Sequence, residues 1–184
     1  MITQIDLQIL DFLQTIRTGF LDSIFVFITR LGDEGIIWIL LTLGLLCFKK
    51  TRGYGIAMAI ALISGTIIGN ICLKNIIARP RPFVINPEML PNLIINPPSS
   101  FSFPSGHTLS SFESAVALFM GNKKAGIPAI ILATLIGFSR NYLYVHYPTD
   151  VIAGAILGIA IGIGAYFIYK KYIKGKMLFN KIEL

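Results

Sequence analysis

Long apolar runs separated by short polar connections dominate this chain, over residues 36–48, 54–73, 108–120, 127–140 and 151–169. Backbone N–H and C=O groups in hydrocarbon have no water to bond, so runs of this kind are stable only as helices that close every bond internally. With 54% hydrophobic and 14% charged residues and a mean hydropathy of +0.73, the chain is too apolar for a soluble globule. The expected fold class is all-α, a polytopic transmembrane helical bundle of about five spans with an N-terminal amphipathic interfacial helix. The shortest run, 36–48, is lengthened by Gly35 and by the snorkelling pair Lys49 and Lys50. The whole of 1–184 reads as one membrane-embedded domain, with interfacial helices over 1–31 and the bundle over 35–176.

In residues 1–19, Ile2, Ile5, Ile9, Phe12, Leu13 and Ile16 recur at helical spacing, with Gln4, Asp6, Gln8, Asp11, Gln14 and Arg17 between them. A basic start followed by an uninterrupted apolar core is missing, so the expectation is an interfacial helix and not a secretory signal. Residues 20–31, with Asp22 and Arg30 near the ends, would cover only about 18 Å of a roughly 30 Å hydrocarbon core. They read as a second interfacial or half-inserted helix, with a short true span as the alternative. Gly65 with Gly69, and Gly154 with Gly158, permit close helix contact. Cys47 and Cys72 fall near opposite ends of neighbouring runs and are expected to be free, small and buried.

The formal net charge of +7 does not indicate nucleic acid, because Lys and Arg lie between apolar runs and not on one basic face. Lys49, Lys50 and Arg52 share one connection, Lys123 and Lys124 another, and Lys170, Lys171, Lys174, Lys176 and Lys181 form the tail. With five spans these fall on one side, read as cytoplasmic by the distribution of basic residues. Lys74, Arg79, Arg81, His107, Arg140, His146 and Asp150 then share the opposite face, and the amino terminus lies there too.

That shared face carries chemistry. In Ser139-Arg140-Asn141-Tyr142-Leu143-Tyr144-Val145-His146-Tyr147-Pro148-Thr149-Asp150, a carboxylate follows a histidine closely enough to fix its tautomer and stabilise its charged form. Arg140 can hold an anion against that imidazole. Pro104-Ser105-Gly106-His107 stands at the start of an apolar run, where free backbone N–H groups point outward. Lys74 and Arg81 follow another run, and both of the chain's 2 histidines fall within these clusters.

The pattern Lys74-x6-Arg81-Pro82, then Pro104-Ser105-Gly106-His107, then Ser139-Arg140-x5-His146-x3-Asp150 resembles the three-part signature of the type-2 phosphatidic acid phosphatase superfamily. The resemblance implies a membrane lipid phosphatase in a bacterial-type cell membrane, with its active site on the extracytoplasmic face. His146 would be the nucleophile that forms a phosphohistidine, Asp150 its orienting carboxylate, and His107 the acid that protonates the leaving group. Lys74, Arg81, Ser105, Gly106 and Arg140 would bind phosphate. No cofactor or metal is implied, and Asp150 is the only carboxylate inside the motifs. Gly121-Asn122-Lys123-Lys124, Arg81-Pro82-Phe83-Val84 and Gly137-Phe138-Ser139-Arg140 look similar to bacterial undecaprenyl-diphosphate phosphatases of the superfamily. Some of those carry Asp where Gly106 stands, which leaves phosphatidylglycerophosphate or phosphatidic acid as the alternative substrate. The reading from another class is a catalytically idle scaffold or transporter of the same fold. The haloperoxidase branch is soluble and does not fit.

Residues 83–103, broken by Pro87, Pro91, Pro97 and Pro98, are expected to form an irregular loop. Met89, Leu90, Leu93, Ile94 and Ile95 within it are the expected lipid entry surface. Arg79 is expected to face lipid headgroups, with added phosphate affinity as the alternative. Glu113 reads as an interhelical hydrogen bond inside a span, and Asp33-Glu34 as caps of the following helix. Trp38, Tyr142, Tyr144 and Tyr147 fit an interfacial aromatic belt.

Overall fold

The amphipathic amino terminus becomes helix α1 (Ile2–Thr15), and Thr18 caps the next helix, α2 (Gly19–Leu31), by accepting the Leu21 N–H at 3.3 Å. The computed structural model describes residues 2–173. A 3₁₀ turn, Asp33–Gly35, carries Glu34 at φ 50° and Gly35 at φ 68° into α3 (Ile36–Cys47). The next run forms α4 (Arg52–Gly65), a wider π-helical stretch Thr66–Leu73 and α5 (Lys74–Ile77), which ends at Ala78 with φ 46°. The 83–103 loop is irregular apart from the short α6 (Pro82–Ile85) and a 3₁₀ stretch, Pro87–Asn92. Then come α7 (Gly106–Gly121), α8 (Lys123–Tyr142) and α9 (Pro148–Ile168). Regular structure among the described residues is helical throughout.

Helix α7 is the axis of the bundle, packed against α4, α8 and α9. Its closest neighbour is α9, where a Cβ at Gly154, Gly158 or Gly162 would come within 2.9, 2.9 and 2.7 Å of the Ser105, Leu109 and Glu113 carbonyl oxygens. Glycines one turn apart thus form a flat stripe on which the α7 backbone rests. Mostly small side chains fill the rest of the core, among them Ala57, Ala61, Ala115, Ala117 and Ala133, with Trp38 and Met58 as its bulk.

The exterior is apolar. Ile63, Ile71, Ile131, Ile152, Ile156 and Phe167 are exposed around the bundle, an arrangement suited to lipid and not to water. Among the described residues, the segments Arg52–Ile85 and Pro148–Ile173 are each long and apolar enough to cross a membrane. Lys174, Lys176 and Lys181, and the end of the bundle expected at 176, lie outside the described residues.

Three expectations about surface residues are corrected. Trp38 is buried and donates Nε1–H to Ser111 Oγ at 2.9 Å, because α3 turns that face toward α7. Tyr142, Tyr144 and Tyr147 are buried as well, packed under α1 and α2 instead of forming a belt. Cys47 and Cys72 are free, as expected, but exposed, since both lie on outward faces of their helices.

The end of α5, the start of α7, the end of α8, the start of α9 and the α2–α3 connection meet at one end of the bundle. Tyr54, Gly121, Tyr166 and Tyr169 meet at the other. Across the site end lies α1, its buried Leu10 and Leu13 packed on Tyr144 and Tyr147 and its Ile5, Ile9 and Phe12 exposed.

Candidate active site

Chain direction reverses between α8 and α9 in a tight loop built on backbone bonds. The Val145 and His146 N–H groups donate to the Arg140 carbonyl at 3.2 and 3.3 Å, Asn141 Nδ2 donates to the His146 carbonyl at 2.9 Å, and Tyr144 takes φ 60°. These contacts leave His146 buried, with its ring held from both sides. Arg81 Nη1 lies 3.2 Å from Nε2, and Asp150 Oδ2 lies 3.5 Å from Nδ1. A guanidinium only donates, so Nε2 is the acceptor and Nδ1 carries the proton on the Asp150 side. Burial holds the His146 pKa well below the ordinary 6.5; the Asp150 hydrogen bond opposes this, and Arg81 and Arg140 reinforce it.

Asp150 sits in the first turn of α9. Its Oδ2 accepts the Tyr147 N–H at 3.0 Å and the Ser102 hydroxyl, and its Oδ1 accepts Arg79 Nη1 at 2.6 Å. Arg79 also donates through Nη2 to Asp6 at 2.8 Å and stacks over the Tyr147 ring at 3.7 Å. The expectation that Arg79 faces lipid headgroups is therefore corrected, because both arms of its guanidinium are held by carboxylates inside the protein.

Ser105 caps α7. Its hydroxyl accepts from Thr108 Oγ1 at 2.9 Å, and its N–H donates to the Asp150 carbonyl at 3.2 Å, tying the start of α7 to the start of α9. A Cβ at Gly106 would stand 2.8 Å from Asn70 Oδ1, a side-chain end that would have to shift, so glycine leaves the helix N-terminus open here. His107 follows, its Nε2 2.9 Å from Asp33 Oδ1. Asp33 thus pairs with a site histidine; the helix cap expected of Asp33-Glu34 does not form.

A cavity of about 1060 Å³ opens at this end of the bundle, and Lys74, Arg81, Gly106, His107, Arg140 and His146 all line it. Arg81 is braced by the Ser100 carbonyl at 2.6 Å and the Val145 carbonyl at 2.8 Å. Arg140 donates to Thr29 Oγ1 at 2.5 Å while its Nε has no protein partner. The cavity therefore presents three cations, one imidazole lone pair and a second histidine backed by a carboxylate. That set can bind a phosphoryl group, attack it and protonate what leaves.

Other sequence candidates are spread more widely. Ile94 and Ile95 line the cavity, whereas Met89 and Leu93 pack against Leu10, Leu13, Tyr144 and Tyr147, and Leu90 is exposed on the surface. Glu113 lies buried in the bundle against Gly65, and its Oε2 lacks the expected interhelical hydrogen bond. Asp6, Thr29, Asp33, Ser100 and Ser102 serve the site without standing in any motif; for Asp6 and Thr29 a polar residue among apolar ones on a helix was the one available signal, and Asp33, Ser100 and Ser102, in connections, have no spacing that points to the site.

The chain belongs to the PAP2 superfamily, whose family model matches residues 52–174. It is 40% identical over 75% of its length to an undecaprenyl-diphosphatase of Sulfolobus acidocaldarius, the match spanning 66% of that protein. It is 34% identical over 77% of its length to the undecaprenyl-diphosphatase BcrC of Bacillus subtilis, spanning 72% of it. The fold matches the crystal structure of the transmembrane PAP2 type phosphatidylglycerolphosphate phosphatase from Bacillus subtilis with a TM-score of 0.73 and 27% identity, over 92% of this chain and 87% of that one. With these relatives and its apolar exterior, the chain is a membrane protein of the lipid phosphatase class.

Proposed function

We propose that this protein removes the terminal phosphate of a lipid diphosphate, with undecaprenyl diphosphate as substrate and undecaprenyl phosphate and inorganic phosphate as products. The observation that carries the chemistry is the Nε2 of His146, fixed as an acceptor beside Arg81 at 3.2 Å and opening on a cavity lined by Lys74 and Arg140. Nε2 attacks the terminal phosphorus, the bond to the bridging oxygen breaks, and His107 delivers its proton to that oxygen. Asp150 stabilises the imidazolium formed by attack. Water, deprotonated by His107, then cleaves the N–P bond and regenerates both histidines. Lys74, Arg81, Arg140 and the backbone at Gly106 meet the charge that develops on the phosphoryl oxygens.

The substrate assignment draws on the two undecaprenyl-diphosphatase relatives. A phosphatidylglycerophosphate phosphatase is the second reading, favoured by the structural neighbour that covers 92% of this chain and by the glycine at position 106. We place the site on the extracytoplasmic face of a multi-pass protein of about five spans, because Lys49, Lys50, Lys123, Lys124, Lys170 and Lys171 occupy connections at the opposite end. Phosphate release by the purified protein from undecaprenyl diphosphate, phosphatidylglycerophosphate and phosphatidic acid tests the reading. The diphosphate should give the highest kcat/KM. Higher turnover of phosphatidylglycerophosphate would select the second reading, and release from none would leave the scaffold or transporter class.

A further inference from the structure

Helix α1 lies outside residues 52–174, the part of the chain the family model matches, yet it sends one carboxylate into the support of the site. Asp6 is 2% exposed on a helix whose other face, Ile5, Ile9 and Phe12, is open. Its Oδ2 accepts from Arg79 Nη2 at 2.8 Å and from Thr149 Oγ1 at 2.5 Å, and its Oδ1 from the Thr149 N–H at 3.1 Å. Arg79 passes this on, donating to Thr149 Oγ1 at 2.7 Å and to Asp150 Oδ1 at 2.6 Å. Two more contacts stitch α1 to the loop bearing His146, from Tyr144 OH to Asp11 at 2.8 Å and from Gln14 Nε2 to the Tyr142 carbonyl at 3.2 Å.

We propose that Asp6 is a positioning residue for the His146–Asp150 pair, acting through Arg79, and that α1 is thereby a working part of the active site as well as an interfacial helix. The proposal rests on His146 being the nucleophile. A buried carboxylate is a poor source of stability, since its desolvation offsets most of its pairing. Its effect on Asp150 is more specific. Arg79 facing Asp150 alone would cancel the charge that Asp150 must offer the imidazolium. Asp6 supplies a second negative charge, so that the triad Asp6–Arg79–Asp150 stays net negative toward His146. On its other side His146 faces Arg81 from the segment after α5 and Arg140 from α8, both of which disfavour its charged form. Support for the imidazolium therefore comes from the α9 side, where Asp150 stands, and Asp6 also fixes the Thr149 N–H next to it.

The test uses the full chain in detergent with p-nitrophenyl phosphate and a long-chain lipid phosphate, and compares Asp6→Asn, Leu10→Ala, Arg79→Gln and the Asp6→Asn, Arg79→Gln double variant. Asn can still accept the Thr149 N–H, so Asp6→Asn isolates the charge. It should lower kcat about tenfold or more on both substrates with KM within about twofold, because the lost charge supports an imidazolium that forms only as the reaction proceeds. The acid limb of kcat/KM should move to lower pH, since His146 has lost support for its charged form. Leu10→Ala loosens α1 without touching the triad; it should lower the melting temperature and leave that limb in place. In the Arg79→Gln background, Asp6→Asn should cost less than about twofold. Should Asp6→Asn not fold, Asp6→Ser, which also removes the charge, takes its place. An Asp6 variant with wild-type kcat and an unmoved limb, beside an inactive His146→Ala, overturns the role of Asp6 alone. Turnover by His146→Ala overturns the nucleophile on which the proposal stands.

Discussion

Asp33 Oδ1 stands 2.9 Å from Nε2 of His107, reaching from the α2–α3 connection to the first turn of α7. Burial first, then Arg140 and Lys74, hold the His107 pKa down at about 4, and Asp33 opposes them by favouring the imidazolium, the form that can protonate a leaving oxygen once a bound phosphate offsets the two cations. The Asp33 side chain is 52% exposed, so solvent screens the pair and its removal should cost about tenfold, not the full value of an acid catalyst. Asp33→Asn is expected to lose that factor on a lipid phosphate, whose leaving alkoxide needs a proton. p-Nitrophenyl phosphate, with a good leaving group, should be hydrolysed nearly as before. Equal losses on both would mean that Asp33 only shapes the loop.

His146→Ala should abolish turnover while the protein still folds in detergent, because it removes the atom proposed to bond phosphorus. Burial, with Arg81 and Arg140 acting in the same direction and Asp150 opposing, keeps the His146 pKa well below 6.5, so the ring is neutral and nucleophilic at pH 6.5 and somewhat lower. The acid limb of kcat/KM for wild type is therefore expected below pH 6.5. The linkage has the matching sign. The unfolded chain takes up a proton near 6.5 that the folded site resists, so His146 contributes falling stability as pH drops below 6.5. A limb in wild type that lies above 6.5 and is unmoved by Asp6→Asn would contradict the assignment.

The motif residues were legible because charge is scarce in this chain and concentrated at helix ends. Lys74, Arg81, His107, Arg140 and His146 all meet at one cavity although they come from segments far apart in sequence. Their partners were not legible. Asp6 looked like the polar face of an interfacial helix, and nothing in its spacing says that this face docks on Arg79 instead of water. Tyr142, Tyr144 and Tyr147 carry the pattern of an aromatic belt, since a tyrosine at a helix end reads the same whether its hydroxyl meets headgroups or, as with Tyr142 and Tyr144, Asp22 and Asp11. Helix boundaries moved for a local reason too: α8 begins at Lys123 because Asn122 caps it, Oδ1 accepting the Ala125 N–H at 3.2 Å.

Lys74, Arg81 and Arg140 line the cavity, and in the proposed reaction these three cations meet the phosphate charge. Enzyme treated with EDTA is expected to retain its activity, and vanadate is expected to inhibit competitively as a mimic of five-coordinate phosphorus. Inactivation by EDTA with rescue by Mg²⁺ would show that the three cations are not sufficient.

Packing of α7 on α9 depends on backbone contact, so Gly158→Val should destabilise the whole bundle. The added Cβ alone would stand 2.9 Å from the Leu109 carbonyl oxygen and 3.0 Å from the Glu113 nitrogen, neither of which is a flexible side chain. Overpacking of this kind costs roughly 1–3 kcal/mol or more. A lower melting temperature, with both substrates losing activity in parallel, is the expected result; an unchanged melting temperature would mean that α9 can move away.

The loop between Arg81 and Pro104 divides into a part that faces the cavity and a part that holds the cap together, and the two should separate in kinetics. Ile94 lines the cavity and is 36% exposed, so a lipid chain can cover it on entry. Fully burying such a side chain is worth roughly 1.5–3 kcal/mol, so covering the exposed third is worth about 0.5–1 kcal/mol, and Ile94→Ser should raise KM for a long-chain lipid phosphate about two- to sixfold. A short soluble ester has no tail to lay on Ile94, and its kcat/KM should stay within about twofold. Leu93, one residue earlier, packs against Leu10, Leu13, Phe83 and Tyr142 in the two buried clusters under α1 and α2. Leu93→Asp is expected to lower the melting temperature and to reduce turnover of both substrates alike, since it loosens the cap over the His146 loop. Parallel losses in Ile94→Ser as well would remove the case for lipid contact at this edge of the cavity.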